Sequence, residues 1–201
     1  MSKNEVPLST VKKAGRWKLF AVLAVCAAPM IASYISYYFV KPSGKTNYGT
    51  ILDPRLYPQP LLNSQTLDGK AMELSAFKGK WIMLQVDSGA CAASCQKKLL
   101  DMRQLRTIQG KEMERIERVW LITDEHSIDA NMQVGIQGTR LLKASSGNLE
   151  KWLPVDTDSR ISDHIYLIDP LGNLMMRFPK NADANKMKKD LSKLLKASAI
   201  G

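Results

Sequence analysis

A run of 22 residues without a charged side chain, from Leu19 to Val40, constrains the fold of this chain more than any other feature. A helix needs about 20 apolar residues to cross the hydrocarbon core of a bilayer, so the run is long enough. Trp17 and Lys18 precede it, and tyrosines with Lys41 flank its other end, as in an interfacial aromatic belt. Pro29 predicts a kink. We therefore predict one transmembrane helix over residues 19–40.

A cleaved signal peptide is the alternative to a retained anchor. The run is long for the apolar part of a signal peptide, and no clear small-x-small cleavage site follows it. Residues 1–18 carry five basic side chains against Glu5, and the positive-inside rule places such a segment in the cytoplasm. The sequence therefore predicts a single-pass protein of a bacterial inner membrane, since no transit peptide precedes the anchor. Its C-terminal domain would lie in the periplasm.

The net charge of +10 raises the question of nucleic-acid binding. The sequence contains no basic stripe interleaved with aromatic residues and no zinc-finger spacing, so no nucleic-acid partner is expected. Much of the positive charge lies on lysines of the last predicted helix, at positions 186, 188, 189, 193 and 196. We interpret them as a solvated helix face. Weak attraction to anionic lipid head groups or to an acidic partner is the alternative.

From residue 61 onward, short apolar runs alternate with segments of helical periodicity. Leu61–Gln65 and Ala71–Leu74 flank Asp68-Gly69, which predicts a hairpin. The later predicted strands are Trp81–Val86, Ile116–Ile122, Arg140–Lys143, Ile165–Ile168 and Leu174–Phe178. One predicted helix starts at Ala92. Three further helices are predicted over Asp129–Val134, Asn148–Leu153 and Ala182–Ala197.

The first two core strands are joined by a helical crossover and are predicted to be parallel, whereas the last two form an antiparallel hairpin. This mixture predicts an α/β fold, a thioredoxin-like three-layer sandwich with a central mixed sheet, preceded by one transmembrane helix. The predicted organisation is a cytoplasmic basic N-terminus (1–18), a transmembrane helix (19–40), a tether rich in Pro, Gly and Tyr (41–60) and a thioredoxin-like domain (61–201).

Two cysteines, Cys91 and Cys95, lie where the strand that ends at Val86 passes into a helix. Their spacing places them one turn apart on the core face of that helix. Unpaired N–H groups at a helix start favour the thiolate, the form that attacks disulfides and binds soft metals. Such a pair can close a disulfide or hold one copper ion, and a purely structural disulfide is the alternative. Cys26, within the apolar run, is predicted to be a small apolar filler.

Four features together resemble the Sco/SenC family of membrane-anchored, thioredoxin-like copper proteins that help to assemble cytochrome c oxidase. These are the anchor with its tether, the Asp68-Gly69-Lys70 to Lys80 lead-in, the C-x-x-x-C of Cys91 and Cys95, and Asp163-His164 followed by Asp169-Pro170-Leu171-Gly172. The resemblance covers the chain from about Leu19 to its end. It is greatest to a small branch found beside oxidase-assembly proteins.

The resemblance implies that Cys91, Cys95 and His164 bind copper. It also implies delivery of the ion to the copper-bearing subunit of a respiratory oxidase, or contact with other assembly factors. Asp163 is expected to orient His164 or to cap its loop. His126 is predicted to be a surface residue, with a fallback role as a ligand. Methionines at strand positions, such as Met83, are predicted to pack in the core.

Two other functions compete with the metallochaperone. In one, Cys91 and Cys95 are the attacking and resolving thiols of a thiol–disulfide oxidoreductase that keeps oxidase cysteines reduced. In the other, the protein is a non-catalytic membrane scaffold with a degenerate thioredoxin fold. The scaffold is favoured by a loop that lacks the family's usual prolines, having Ala92-Ala93-Ser94 between the cysteines and Gln96 after them.

Overall fold

The computed structural model describes residues 12–38, 47–129, 132 and 135–200. Contacts divide the chain into two units, residues 1–45 and 46–201. The first unit contains helix α1, Lys12–Tyr38, with Pro29 inside it. Its segment Trp17–Tyr38 is long and apolar enough to cross a membrane, and almost all described side chains of that segment are exposed. Cys26 is free and exposed on this helix.

The second unit is an α/β domain built around one sheet. Its strands are β1 (Thr50–Ile51), β2 (Gln65–Thr66), β3 (Trp81–Asp87), β4 (Ile116–Ile122), β5 (Arg140–Lys143), β6 (Ile165–Ile168) and β7 (Leu174–Arg177). Its helices are α2 (Ala93–Ile108), α3 (Ser146–Trp152) and α4 (Ala184–Ala197). Short 3-10 turns cover Leu74–Phe77, Gly110–Arg115 and Ile161–Asp163.

The sheet has the strand order β1-β7-β6-β3-β4-β5-β2. β3 pairs with β4 in parallel, because α2 carries the chain back to the edge at which β3 began. β6 and β7 form the antiparallel hairpin, and β6 also pairs antiparallel with β3. The predicted mixed sheet of a thioredoxin-like fold is thereby confirmed.

Alternation along β3 separates two apolar layers. Trp81 and Met83 face the layer that contains α2 and α4, including Met102 and Leu191. The intervening residues Ile82, Leu84 and Val86 face the opposite layer, which contains α3. A smaller cluster surrounds the two cysteines, with Leu99, Trp120, Ile122 and Ile136 as buried members. The domain is therefore a three-layer sandwich, and Met83 packs in its core as predicted.

Three details differ from the sequence predictions or fall outside the structure. Thr50–Ile51 pairs with β7 and Leu52 is buried, so these residues of the segment predicted as a tether belong to the sheet and the core. The predicted first hairpin is short: one bridge joins Gln65 to Ala71, the Met72 amide donates to the Ser64 carbonyl, and β2 also pairs with β5. The helix predicted over Asp129–Val134 lies mainly on residues outside the described part of the chain.

Candidate functional site: a buried cysteine pair at the β3–α2 junction

Cys91 and Cys95 form a disulfide at the junction of β3 and α2, with their Cα atoms 5.1 Å apart. Cys95 lies in the first turn of α2, and Cys91 lies two residues before that helix. Cys91 has a φ of +38°, a left-handed conformation that costs a non-glycine residue roughly 1–3 kcal/mol. The turn is closed by a hydrogen bond from the Cys91 amide to the Ser88 carbonyl.

Two glutamine side chains hold the backbone of the disulfide. Gln85 Nε2 donates to the Cys95 carbonyl at 3.3 Å, and Gln96 Nε2 donates to the Cys91 carbonyl at 3.0 Å. Gln85 is fully buried on β3, so its amide ties the start of α2 to the central strand. Both side-chain amides therefore donate to backbone carbonyls rather than to sulfur.

The two cysteines are almost completely enclosed, with 1% of Cys91 and none of Cys95 exposed. They pack against Leu99, Trp120 and Ile136. An attacking thiol or an incoming metal ion must therefore wait for the loop before α2 to move. The apolar surroundings also exclude water from the sulfur atoms once the loop is closed.

Asp124, in the loop after β4, holds the loop that carries Cys91. Its Oδ1 accepts a hydrogen bond from the Gly89 amide at 2.9 Å. The pKa of Asp124 is well below its usual value, because four hydrogen bonds favour the carboxylate. They come from the Ser88 hydroxyl, the Gly89 amide, and the ring and backbone amide of His126. Gly89 has no room for a side chain, since a Cβ atom there would lie 2.1 Å from the His126 carbonyl oxygen. The two loops are thus interlocked.

His126 is exposed, as the sequence predicted, and its Nδ1 lies 2.9 Å from Asp124 Oδ2. Asp124 was not among the site residues predicted from the sequence. The signal was present in Thr123-Asp124-Glu125-His126, because the carboxyl ends of two parallel strands meet at one edge of a sheet. A polar turn after β4 must therefore lie beside the cysteine loop after β3.

His164 is fully buried just before β6. Its Nδ1 lies 2.9 Å from the Phe178 carbonyl oxygen, which can only accept, so this nitrogen carries the proton. Its Nε2 is then an acceptor, and it lies 2.8 Å from Ser159 Oγ. Burial lowers the pKa of His164, which keeps the ring neutral. Both ring nitrogens are therefore engaged by the surrounding chain.

The structure does not bring His164 to the cysteines. Its neighbour Ile165 pairs with Gln85, whose side chain points toward Cys95. Because side chains alternate along an extended chain, His164 lies on the other face with Tyr166, at 5.9 Å between ring centroids. Among the described residues, no group of three or more His, Cys, Asp and Glu side chains is arranged to hold a metal ion.

Asp163 caps its own loop rather than orienting His164. Its Oδ2 accepts a hydrogen bond from the Arg160 amide at 3.0 Å and lies 3.3 Å from Lys180 Nζ. Of the two roles expected for this residue, the loop cap is therefore the one observed, and the Phe178 carbonyl fixes the tautomer of His164.

A polar cleft of about 460 Å³ lies at the carboxyl edge of β3 and β4, between the cysteine loop and the loop that contains Ser159. Its polar lining includes Asp87, Ser88, Thr123, Glu150, Ser159 and Arg160. Lys98 Nζ of α2 lies 3.4 Å from Asp87 Oδ2, and both side chains are largely buried. The cleft therefore lies between the cysteine loop and the loop that leads to His164.

Comparison with known proteins places this chain in a family. Residues 81–198 match the family described as transmembrane-like, thioredoxin-like, C-terminal domain, and residues 9–40 match its transmembrane-like N-terminal domain. Among curated proteins, none matches the sequence closely enough to be a relative.

Solved structures show the same fold at low sequence identity. Copper-bound ScoI of Arabidopsis thaliana is 16% identical, with 75% of this chain and 99% of that chain covered and a TM-score of 0.52. A SCO1/SenC family lipoprotein of Bacillus anthracis is 18% identical, covering 69% and 95%, with a TM-score of 0.51. The thioredoxin domain of a thiol-disulfide oxidoreductase of Bacteroides vulgatus is 17% identical, covering 68% and 94%, with a TM-score of 0.51.

These structures confirm the predicted resemblance to Sco/SenC proteins at the level of the fold. The N-terminal match, together with the apolar helix α1, indicates a single-pass membrane protein. The chain belongs to the transmembrane-like family with a thioredoxin-like C-terminal domain.

Proposed function

We propose that this protein is a membrane-anchored copper carrier in which the reduced Cys91–Cys95 pair binds Cu(I). The observation that supports the proposal is the placement of Cys91 just before α2 and of Cys95 in its first turn, close enough to be bonded to each other. Thiolates select Cu(I) among the biological copper states, so the donor set fits this ion. The enclosing apolar side chains would shield the bound ion from water.

Residues around the two cysteines hold them in place and restrain access to them. Gln85 and Gln96 hold the two cysteine carbonyls, so the two thiols would stay near each other after reduction of the disulfide. Asp124 restrains the loop that must open for the ion to enter or leave. Two thiolates leave coordination positions that a recipient protein's ligands can occupy during transfer.

The third ligand remains a prediction. His164 would have to leave Phe178 and Ser159 and reach across the sheet edge, because both ring nitrogens are engaged. His126 is the fallback, since its Nδ1 is oriented by Asp124 and its backbone packs on Gly89. Comparing His164→Ala with His126→Ala assigns this position.

The test is the Cu(I) stoichiometry and affinity of the reduced full-length protein in detergent, measured by competition with a chromophoric Cu(I) chelator. We expect about one Cu(I) per chain for the wild type and none for Cys91→Ala or Cys95→Ala. Cys26→Ala is the matched control and should bind as the wild type does. Equal copper binding by the wild type and both site variants would contradict the proposal.

We further propose that the ion is delivered to the copper-bearing subunit of a respiratory cytochrome c oxidase, on the periplasmic side of a bacterial inner membrane. This rests on the Sco-like fold and on the basic residues before the anchor. Fusions of a periplasm-dependent reporter to the C-terminus test the orientation. Loss of oxidase copper in a Cys91→Ala, Cys95→Ala strain tests delivery, and full assembly in that strain would instead support the scaffold function.

A thiol–disulfide oxidoreductase is the second candidate, and the disulfide itself favours it. In this reaction the Cys91 thiolate attacks one sulfur of a partner disulfide and expels the other as a thiolate. Cys95 then attacks Cys91 in the mixed disulfide and releases the partner as a dithiol, leaving this protein oxidised. A measured reduction potential, with the rate of exchange against a periplasmic oxidoreductase, decides the matter. A disulfide that does not exchange with such a partner would rule this activity out.

A further inference from the structure

The last helix of the domain, α4, carries a strongly basic outer face. Its five lysines are all exposed, at positions 186, 188, 189, 193 and 196. The apolar side chains of the same helix, Met187, Leu191 and Leu195, are buried in the core. Its single acidic residue, Asp190, is buried with 2% of its surface exposed. The solvent-facing side of α4 therefore presents positive charge without a compensating carboxylate from its own helix.

The net charge of the whole domain resides on this helix. Residues 46–201 contain 22 basic and 18 acidic side chains, a net charge of +4. Residues 184–197 contain five basic and one acidic side chain, which is also +4. The rest of the domain is balanced, with 17 of each sign. The charge of α4 thus equals the net charge of the domain, and its outer face has a positive potential.

The chain enters the domain at this same helix. Asp190 Oδ2 accepts hydrogen bonds from the Tyr48 and Gly49 amides at 2.7 and 2.8 Å. The Tyr48 hydroxyl accepts one from the Asp183 amide at the helix start, and the Lys186 ammonium lies 5.2 Å from the Tyr48 ring centroid. The segment that leads from the membrane helix is thus fastened to α4 itself.

The connecting segment is short enough to keep the domain close to the membrane that holds α1. Nine residues separate Tyr38, the end of α1, from Tyr48, and a chain of that length spans at most about 35 Å. Two of the nine are Lys41 and Lys45, which add to the positive charge. Anchoring holds the lysines at a high effective concentration of lipid, so an attraction that is weak per residue is enough to bias the domain's orientation.

We propose that the basic face of α4 docks on anionic phospholipid head groups of the membrane that holds α1. Docking sets α4 against the bilayer and so biases the orientation of the domain on the membrane. The proposal is independent of copper and of the state of the disulfide.

The experiment compares lysine reactivity in the full-length protein reconstituted into nanodiscs. One set contains phosphatidylcholine alone and the other contains phosphatidylglycerol in addition. After brief exposure to an amine-reactive reagent, mass spectrometry gives the modification rate at each lysine. We expect Lys188, Lys189 and Lys196 to react at least about threefold more slowly in anionic discs at low salt, with the difference lost at 1 M salt, where charges are screened beyond about 3 Å. Lys70, on the turn after β2, should react equally in both.

A charge-reversal variant gives the second measurement. In Lys188→Glu, Lys189→Glu, the remaining Lys196 should lose its protection in anionic discs. The matched control, Lys70→Glu, Lys151→Glu, makes the same change in net charge away from α4 and should keep Lys196 protected. All four side chains are exposed, so folding is expected to be unaffected. Equal reactivity of α4 lysines in both lipids overturns the proposal. If the α4 lysines are protected from modification only when an acidic protein is added, the proposal is also overturned. The basic face of α4 would then bind that protein.

Discussion

At the scale of single residues, local spacing brings Cys91 and Cys95 together, whereas contacts between distant segments determine where His164 lies. The spacing of Cys91 and Cys95 at a strand-to-helix junction predicts that they lie close enough to bond, and the structure shows the disulfide. The face on which His164 lies depends on the residue of β3 opposite Ile165 and on the loop that carries Ser159. The sequence alone does not predict these two contacts of the His164 region, because one of them joins distant segments and the other depends on how the loop folds.

Replacing His164 separates a structural role from a ligand role. His164→Ala removes the partners of the Phe178 carbonyl and Ser159 Oγ, which should lower the free energy of unfolding by about 1–3 kcal/mol. The measurement is chemical denaturation of the oxidised protein, in which the cysteines cannot bind metal. An unchanged unfolding free energy would show that the two hydrogen bonds contribute little, and would leave a ligand role as the reason for the residue.

The lowered pKa of His164 predicts that the unfolding free energy depends on pH. Burial lowers the folded-state pKa of His164 below its ordinary value of 6.5, so between those two pKa values the unfolded chain binds a proton that the folded chain does not. The wild type should therefore lose stability as the pH falls from about 6.5 toward the folded-state pKa, and the loss should be complete below that pKa. The difference in unfolding free energy between the wild type and His164→Ala should narrow over the same range. A difference independent of pH would contradict the assignment.

At the scale of secondary-structure elements, the parallel pairing of β3 and β4 explains why two loops close over the cysteines. This pairing was predictable, since a helical crossover joins the strands. The edge strand β1 was not, because two residues in a segment rich in Pro, Gly and Tyr carry no strand signal. It forms because the exposed edge of β7 provides backbone partners and because Leu52 fits the core.

Gly89→Ala tests the interlocked loops. The added Cβ would lie 2.1 Å from the His126 carbonyl oxygen, so one loop must move. We expect the free energy of unfolding to fall by about 1–3 kcal/mol, and reduction of the buried disulfide by a small phosphine to become faster. Gly147→Ala is the control, because its Cβ meets no atom within 4 Å and lies in α3, where alanine is the better helix former. Reduction of both variants at the wild-type rate would show that the loops do not limit access.

At the scale of the whole chain, one carboxylate, that of Asp190, holds the amides of Tyr48 and Gly49 near the start of the second unit. The sequence predicted an anchor, a connecting segment and a domain, and it predicted the basic helix at the end of the chain. It could not predict that the connecting segment is fastened to that helix, because the partners Tyr48 and Asp190 are 142 residues apart. Long-range contacts of this kind are fixed by packing rather than by local propensity.

Asp190→Ala tests this fastening. The change leaves the Tyr48 and Gly49 amides without the carboxylate that accepts from both of them. Hydrogen bonds to a charged group contribute about 1.5–3 kcal/mol, so exchange of these two amides with solvent should accelerate by roughly tenfold or more. Hydrogen exchange on the full-length protein measures the effect, and β1 should lose protection along with them. Ser192→Ala, which removes a hydrogen bond from α4 to Gln109 instead, should leave both amides protected. If Asp190→Ala leaves them equally protected, β1 pairing with β7 holds the entering chain without help from α4.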